Sequence, residues 1–131
     1  MKSSMQLGNK TTVLFTVTDA MQPRFDGKVV HPVCSTWDLA HQFEIAARKA
    51  LVPHLEETEE GIGAKLTIDH CAPAPLGREI YITATVTEID KTTVVCSIQG
   101  KCGNSIVATG EQTQRVFPIE VVLNIIANAS E

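Results

Sequence analysis

One carboxylate of this chain occupies a position where a core side chain is expected. Residues 35–51 have the composition of a single helix, and Glu44 lies near its centre. At about 100° per residue, Glu44 points the same way as Trp37, Ala40 and Leu51, so it belongs to a stripe that should be buried. Burial raises the pKa of a carboxyl group, which is how a general base is tuned towards neutral pH. A buried Glu44 would therefore suit proton abstraction.

A surface ion pair is the alternative explanation for the same residue. Arg48 follows Glu44 by four residues, and this order of acid and base stabilises an exposed helix face by about 0.2–0.5 kcal/mol. An exposed Glu44 that pairs with Arg48 would need no catalytic role. The two interpretations differ in one property, the burial of Glu44.

His70 is the second residue whose type conflicts with its position. In the predicted strand 64–70, alternation puts Ala64, Leu66, Ile68 and His70 on one face. The histidine thus continues an apolar face at the end of the strand, just before a proline-rich segment. A satisfied core histidine and a catalytic histidine that titrates near neutral pH are both compatible with this position.

Thr36 stands at the predicted start of the helix, where a threonine is usually an N-cap. On its own it carries little functional information. The remaining histidines, His31, His41 and His54, are scattered without the spacing of metal ligands. No metal site is therefore predicted.

The composition is that of an ordinary globular protein, with 44% hydrophobic and 20% charged residues among 131. This length predicts a single domain over residues 1–131. The net charge is −4 and no cluster of Lys and Arg occurs, which argues against a nucleic-acid partner because such binding needs a basic face. No apolar run approaches the roughly 18–20 residues that span a bilayer, so no membrane partner is expected.

The four cysteines lack any Cys-x-x-Cys spacing. The N-terminus has no apolar core of signal-peptide length. We therefore expect reduced thiols and a cytoplasmic location. Cys34, Cys71 and Cys96 are predicted to be buried as small apolar side chains.

The elements that must position these residues follow in the order strand, helix, four further strands and a short closing helix after Pro118. Successive hairpins predict an antiparallel sheet, and the alanine-rich helix allows such a sheet to approach closely. Residues 19–32 form an irregular stretch, and long loops of this kind are often lids or binding segments. The predicted strands cover residues 12–18, 64–70, 79–89, 92–99 and 105–116.

Several motifs between residues 15 and 116 resemble those of hot-dog acyl-CoA thioesterases, and within them the fluoroacetyl-CoA thioesterase-like group. They are HPVCST at 31–36, the helix 37–51 with its central acid, IGA at 62–64 and HCAPAPLG at 70–77. The resemblance implies an α+β hot-dog fold, in which an antiparallel sheet of about five strands wraps around one long central helix. It also implies at least a homodimer, and a tetramer is the alternative.

The resemblance implies that Thr36, Glu44 and His70 form the catalytic set of an acyl-thioester hydrolase. Coenzyme A would be part of the substrate, and no separate cofactor is expected. Glu44 would act as general base or attack the carbonyl itself. His70 would orient Glu44 or water and carry a proton to the departing sulfur, and Thr36 would hydrogen-bond the substrate carbonyl or the water. A backbone N–H near Gly63 is predicted to bind the substrate as an oxyanion donor, because a glycine lets the thioester approach closely.

The last strand departs from the pattern of the group, which often carries a Gly-Thr-His-Glu-Arg-like run. Gly110-Glu111-Gln112-Thr113-Gln114-Arg115 stands in its place, and Arg115 is predicted to bind substrate from a shifted position. Residues 19–32 are also shorter than the aromatic-bearing lid of the fluoroacetyl-specific enzyme. Specificity for a fluorinated acyl group is therefore not carried over.

The spacing of Thr36 and Glu44 limits how the predicted site can be assembled. If the helix includes both residues, they lie roughly 12 Å apart along its axis and differ by about 80° in direction. A late helix start, a bridging substrate and a site shared across a dimer interface would each solve this problem, and we favour the shared site.

Two other functions remain open from the sequence alone. A hot-dog domain that binds an acyl-CoA or another small ligand without catalysis is the alternative that the changed last strand favours. A hydratase or dehydratase of enoyl thioesters ranks third, because its usual Asp and His motif is not found here.

Overall fold

A sixteen-residue helix forms the centre of the fold in the computed structural model, which describes residues 1–130. Helix α1 (Thr36–Leu51) begins after Ser35, whose hydroxyl oxygen accepts a hydrogen bond from the Asp38 backbone N–H at 3.2 Å. The Ser35 hydroxyl also donates to the Asp38 carboxylate at 2.8 Å. A polar cap and an acid in the first turn satisfy free N–H groups and suit the helix dipole. The predicted helix is confirmed to within one residue.

Seven strands accompany this helix within the described residues. Five of them form one antiparallel sheet in the spatial order first, fifth, sixth, seventh and fourth, while the second and third form a separate hairpin. The predicted α+β architecture of five antiparallel strands and one long helix is confirmed. The strands are β1 (Lys10–Thr16), β2 (Arg24–Phe25), β3 (Lys28–Val29), β4 (Glu59–His70), β5 (Glu79–Ile89), β6 (Thr93–Cys102) and β7 (Ser105–Pro118).

The core lies between α1 and the concave face of the sheet. Small side chains on the helix, such as Ala46 and Ala47, are fully buried and allow the close approach that the sequence predicts. Each large apolar side chain buried here stabilises the fold by about 1.5–3 kcal/mol. The largest buried side chains are Leu39, Phe43 and Leu51 from the helix and Ile80, Ile82 and Ile98 from the sheet.

Strand β4 begins at Glu59 rather than at residue 64. Glu59 accepts a hydrogen bond from the N-terminal amine at 2.8 Å, and Glu60 pairs with Arg48 at 2.9 Å. These hydrogen-bonded cations lower the pKa of both carboxyl groups. The acidic segment 56–60 would usually form a solvated surface turn. Ionic contacts instead hold its last two residues in the sheet.

A bulge in β4 changes which residues face the helix. Gly63 pairs with Gln114 and Lys65 pairs with Thr113, so Ala64 is the extra residue. Because an extra residue shifts the alternation by one, Gly63 lies on the face that His70 also occupies, whereas Ala64 is exposed. The prediction that Ala64 shares the face of His70 was therefore wrong.

Helix α2 (Ile119–Asn128) closes the described chain and starts directly after Pro118, as predicted. It packs on the sheet through Val122, while Leu123 and Ile126 stay exposed. Within residues 1–130, no helix is both long and apolar enough to cross a membrane.

The cysteines differ in their burial. Cys34, Cys96 and Cys102 are buried, and burial raises the pKa of the Cys34 and Cys96 thiols to about 12 and about 11. The prediction of burial was wrong for Cys71, which is exposed directly after the end of β4.

Candidate active site

A hydrogen bond between Thr36 and His70 joins the start of the helix to the end of β4. Thr36 Oγ1 and His70 Nδ1 lie 2.9 Å apart. Ser35 is the capping residue of α1, so the Thr36 hydroxyl is free for this contact. The bond fixes the plane of the imidazole and directs its other nitrogen, Nε2, away from the threonine. Two of the three predicted catalytic residues are thus brought together.

The free nitrogen of His70 has an unusual environment. Nε2 is buried, yet it has no hydrogen-bond partner anywhere in residues 1–130. Buried polar atoms without a partner cost about 1–3 kcal/mol and are rare in folded proteins. An unpaired nitrogen on an oriented imidazole can exchange a proton with a ligand once the side chains that cover it move aside.

Glu44 lies on the open side of α1 and is exposed in the single chain. The stripe that the sequence assigned to the core is only partly buried, since Leu51 is in the core whereas Glu44 and Trp37 are exposed, Trp37 at 51%. The sheet covers the neighbouring stripe of the helix, which carries Leu39 and Phe43. Helical periodicity defines the stripes, but it does not say which of them the sheet will cover.

The predicted surface ion pair between Glu44 and Arg48 is absent as well. The Arg48 guanidinium pairs with Glu60 and donates to the Gly61 carbonyl oxygen at 3.3 Å. The Glu44 carboxylate forms no ion pair or hydrogen bond with any of the described residues. Arg48 therefore does not neutralise it, and the carboxylate stays free for a ligand.

An open cavity of about 270 Å³ adjoins the Glu44 carboxylate. Gly63 forms its floor, because it faces the helix and has no side chain. A methyl group built on Gly63 would lie 3.8 Å from each Glu44 oxygen and 3.3 Å from Gln112 Nε2. Gly63 thus lies beside Glu44, and the missing side chain keeps the space between two polar groups open. The cavity is lined by His41, Glu44, Ile45, Arg48, Gly63, Gln112 and Gln114.

Sequence reasoning noticed Gln112 and Gln114 only as departures from a family pattern. Both are 2% exposed and face the helix from β7. Gln114 donates a hydrogen bond to the Ala47 carbonyl oxygen at 3.0 Å. The signal that could have found them is their alternation with exposed Glu111 and Arg115, which puts two amides on the inward face of a strand.

Arg115 lies apart from this cavity. It pairs with Ile62 and is exposed on the outer face of the sheet, opposite to the face of Gln114. Alternation along a strand produces this separation. Arg115 as a substrate-binding residue stays a prediction, and the structure does not bring it to Glu44.

The two halves of the predicted site are separate within one chain. Helix α1 is regular from Thr36 onwards, so a late helix start is excluded. Eight residues at 1.5 Å each keep Thr36 roughly 12 Å from Glu44 along the axis. The described residues hold no cluster of metal-ligating side chains either. Within one chain, the arrangement can therefore donate a proton from the oriented His70 at one point and accept a proton on Glu44 at another.

An aromatic pair borders the Thr36 end. Phe25, from the β2–β3 hairpin, meets the Trp37 ring edge-on with 5.8 Å between centroids. Both rings are more than half exposed. The stretch 19–32, predicted to be irregular, thus contains this small hairpin, which turns at Asp26 and Gly27 with positive φ angles of 54° and 77°.

Comparison with protein families gives one match. The model of the fluoroacetyl-CoA-specific thioesterase family matches residues 17–120. The matched range contains the helix, the bulge of β4 and the hydrogen-bonded pair at its end. No curated protein matches the chain in sequence.

Several solved structures share the fold. A hypothetical protein of Thermus thermophilus, described as a thioesterase superfamily member, is 26% identical over 96% of this chain and 93% of its own, with a TM-score of 0.91. A hot-dog-like protein from Thermanaerovibrio acidaminovorans is 22% identical over 94% and 91%, with a TM-score of 0.87. A variant of the fluoroacetyl-CoA-specific thioesterase FlK, in complex with fluoroacetate and CoA, is 21% identical over 89% and 98%, with a TM-score of 0.79.

Proposed function

The chain belongs to the fluoroacetyl-CoA-specific thioesterase family, and from this membership we propose how it hydrolyses its substrate. It is an acyl-CoA thioesterase. We propose that Glu44, His70 and Thr36 carry out the hydrolysis, at a site to which two copies of the chain contribute. Coenzyme A enters as part of the substrate, and the reaction needs no other cofactor.

One observation carries the shared site. His70 Nε2 is buried without a partner in the described chain, while the Glu44 carboxylate is exposed and unpaired. Each group lacks a hydrogen-bond partner among the described residues, and the regular helix holds the two apart within one copy. Glu44 of a second copy would be the partner of His70 Nε2 once the side chains that cover this nitrogen move aside, and the backbone fold would stay the same.

The free edge of β4 supports the way in which two copies would meet. Within the described sheet, β4 pairs only with β7, which leaves one long edge of twelve residues open. Exposed edges of this length are usually covered or paired. An antiparallel pairing of two β4 edges about Thr67, with Ala64 as the extra residue, would set Gly63 opposite His70 of the partner subunit. Both residues face the helix side, as a common site requires.

The chemistry assigns one step to each residue. Glu44 takes a proton from water as the oxygen attacks the thioester carbonyl, or it attacks the carbonyl itself and the resulting anhydride is hydrolysed. The carbon–sulfur bond then breaks, and His70 delivers a proton to the departing thiolate. The proton taken from water then replaces the one that His70 has lost, so that Glu44 and His70 both return to their starting states. Thr36 keeps the imidazole in position through its hydrogen bond. The products are a carboxylic acid and free coenzyme A.

Gly63 contributes space rather than charge to this scheme. The thioester approaches over its Cα atom, where a side chain would block the path to Glu44. The cavity lining contains four polar side chains besides Glu44. We therefore propose a short acyl group as the substrate, with no inherited preference for fluorine.

A hydrolysis screen across short, long and aromatic acyl-CoAs tests the function through the rate of thiol release. Glu44→Gln and His70→Ala should each lower kcat by at least about 10²-fold, the usual contribution of an acid–base group. Their matched controls, Glu57→Gln and His54→Ala, change the same residue types outside the site and should keep the rate of the parent.

Two outcomes would contradict the proposal. If Glu44→Gln and His70→Ala hydrolyse thioesters as fast as the parent, the mechanism is wrong. If acyl-CoAs protect the chain against thermal unfolding but none is hydrolysed, it is a binding domain without catalysis. The altered Gln112 and Gln114 run makes the second outcome the relevant alternative.

A further inference from the structure

We infer that the side-chain amide of Gln112 donates a hydrogen bond to the thioester carbonyl oxygen and stabilises the oxyanion that forms there. The inference rests on the proposed thioester hydrolysis, and it assigns a catalytic role to a residue outside the set of Thr36, Glu44 and His70. As the new bond to the carbonyl carbon forms, an electron pair moves onto this oxygen. A donor held ready at that point lowers the barrier.

The position of the amide carries the inference. Gln112 Nε2 and both oxygens of Glu44 lie within 4 Å of the point where a Gly63 side chain would begin. A reacting carbon must sit about 3 Å from its nucleophile and from the oxyanion donor. The open space over Gly63 meets both conditions, because a carboxylate borders it on one side and an N–H donor on the other.

The orientation of the amide follows from electrostatics. With nitrogen towards the cavity, the partial positive charge of the NH2 group faces the Glu44 carboxylate. The opposite orientation would direct two oxygens at one space, where like charges repel. The same NH2 group would favour the negative charge that develops on the thioester oxygen.

The burial of Gln112 distinguishes it from a structural glutamine. Its Oε1 is buried and has no hydrogen-bond partner among residues 1–130. Gln114, two residues further along the same face, donates to the Ala47 carbonyl oxygen and so holds sheet and helix together. An apolar side chain would fill the position of Gln112 at lower cost to stability, since an unpaired buried carbonyl is unfavourable. Its retention points to use by a ligand.

Two substitutions of Gln112 test the role. Gln112→Met keeps the length of the side chain but removes the donor, and Gln112→Glu keeps the shape but replaces the donor with an acceptor. Each should lower kcat by about 10²–10³-fold, the effect of losing one oxyanion donor, with KM within about threefold of the parent. The Tm of Gln112→Met should equal or exceed that of the parent, because an unpaired carbonyl is lost.

Thr113→Val is the matched control, because Thr113 is next to Gln112 on β7 but does not line the cavity. It should keep kcat within about threefold of the parent. Equal losses of kcat in the Gln112 and Thr113 variants would overturn the inference, since they would indicate a general sensitivity of this strand.

The failure of this inference can be told apart from a failure of the proposed function. If Gln112→Met and Gln112→Glu keep the kcat of the parent while Glu44→Gln is inactive, only the role of Gln112 is wrong. If Glu44→Gln is fully active, the mechanism falls together with the role of Gln112.

Discussion

At the start of helix α1, Thr36 and His70 are joined by a hydrogen bond of 2.9 Å, whereas about two turns further along, Glu44 has no such contact within the described chain. The first region is assembled from two elements that meet at their ends. The second is a carboxylate beside an open cavity. The two regions belong to one predicted catalytic set. The first has a hydrogen bond between its residues within one copy, whereas the second has none.

This difference shows which contacts of the predicted catalytic residues one copy of the fold supplies and which it does not. Capping of α1 by Ser35 and the end of β4 together determine the geometry of the Thr36 and His70 pair. Nothing in one copy determines what approaches Glu44. The fold therefore orients His70, the proposed proton carrier, and leaves Glu44, the proposed base, exposed beside the space over Gly63.

The largest effect that separates the two regions is expected from Gly63→Ala. The added methyl group would occupy the space between Glu44 and Gln112, at 3.3 Å from the amide nitrogen. Displacing reacting groups by about 1 Å costs about 10²-fold in rate, so kcat/KM should fall by that factor. The hydrogen bond between Thr36 and His70 should persist, and Tm should change by only a few degrees.

The matched control is Gly61→Ala, two residues earlier on the same face. Its methyl group would meet Leu51 Cδ2 at 2.5 Å, so it should lower the free energy of unfolding by about 1–3 kcal/mol. Activity of the folded protein should stay near that of the parent. A Gly63→Ala variant with full activity would show that the space over Gly63 is not used.

A smaller effect is expected on the stability of the fold in acid. The ionic contacts of β4 lie at its start, far from His70, so they affect stability rather than the proposed site. The hydrogen bond from Arg48 lowers the pKa of Glu60 below its ordinary value of 4.5. A carboxyl group with a lowered pKa in the folded state stabilises the fold above its unfolded pKa and loses this contribution as the pH falls through the lowered value. The pair is exposed, so the contribution is below about 1 kcal/mol.

Urea unfolding between pH 6 and pH 3 measures this contribution. Glu60→Gln should flatten the acid decline slightly. An equally steep decline in both proteins would mean that Arg48 and Glu60 do not interact in solution.

Most of the fold was predictable because periodicity determines it. The predicted bounds of α1 and β5 agree with the structure to within one residue, since both have strong patterns and clear turn residues at their ends. The start of β4 was not predictable in the same way. Its glycines do not favour a strand, and long-range contacts of Glu59 and Glu60 hold the segment in the sheet.

The site was predictable in its residues but not in its arrangement. Glu44 and His70 stood out because their types conflict with their positions, whereas the bond of Thr36 to His70 joins residues 34 positions apart. The bulge at Ala64 decides that Gly63 faces the helix, and no local pattern shows it. Gln112 was noticed only as a departure from the family pattern, because its role depends on which polar atoms find partners in three dimensions.

The central claim is that Glu44 of one copy works with the Thr36 and His70 pair of another, and mixing two inactive variants tests it most directly. Glu44→Gln and His70→Ala are unfolded together at equal concentration and refolded, so that their subunits combine at random. A mixed dimer contains one site with both residues intact and one site that lacks both. About half of the dimers are mixed, so about a quarter of the parent activity should return. If the mixture stays as inactive as its components, Glu44 and His70 act within one chain, and the shared site is wrong.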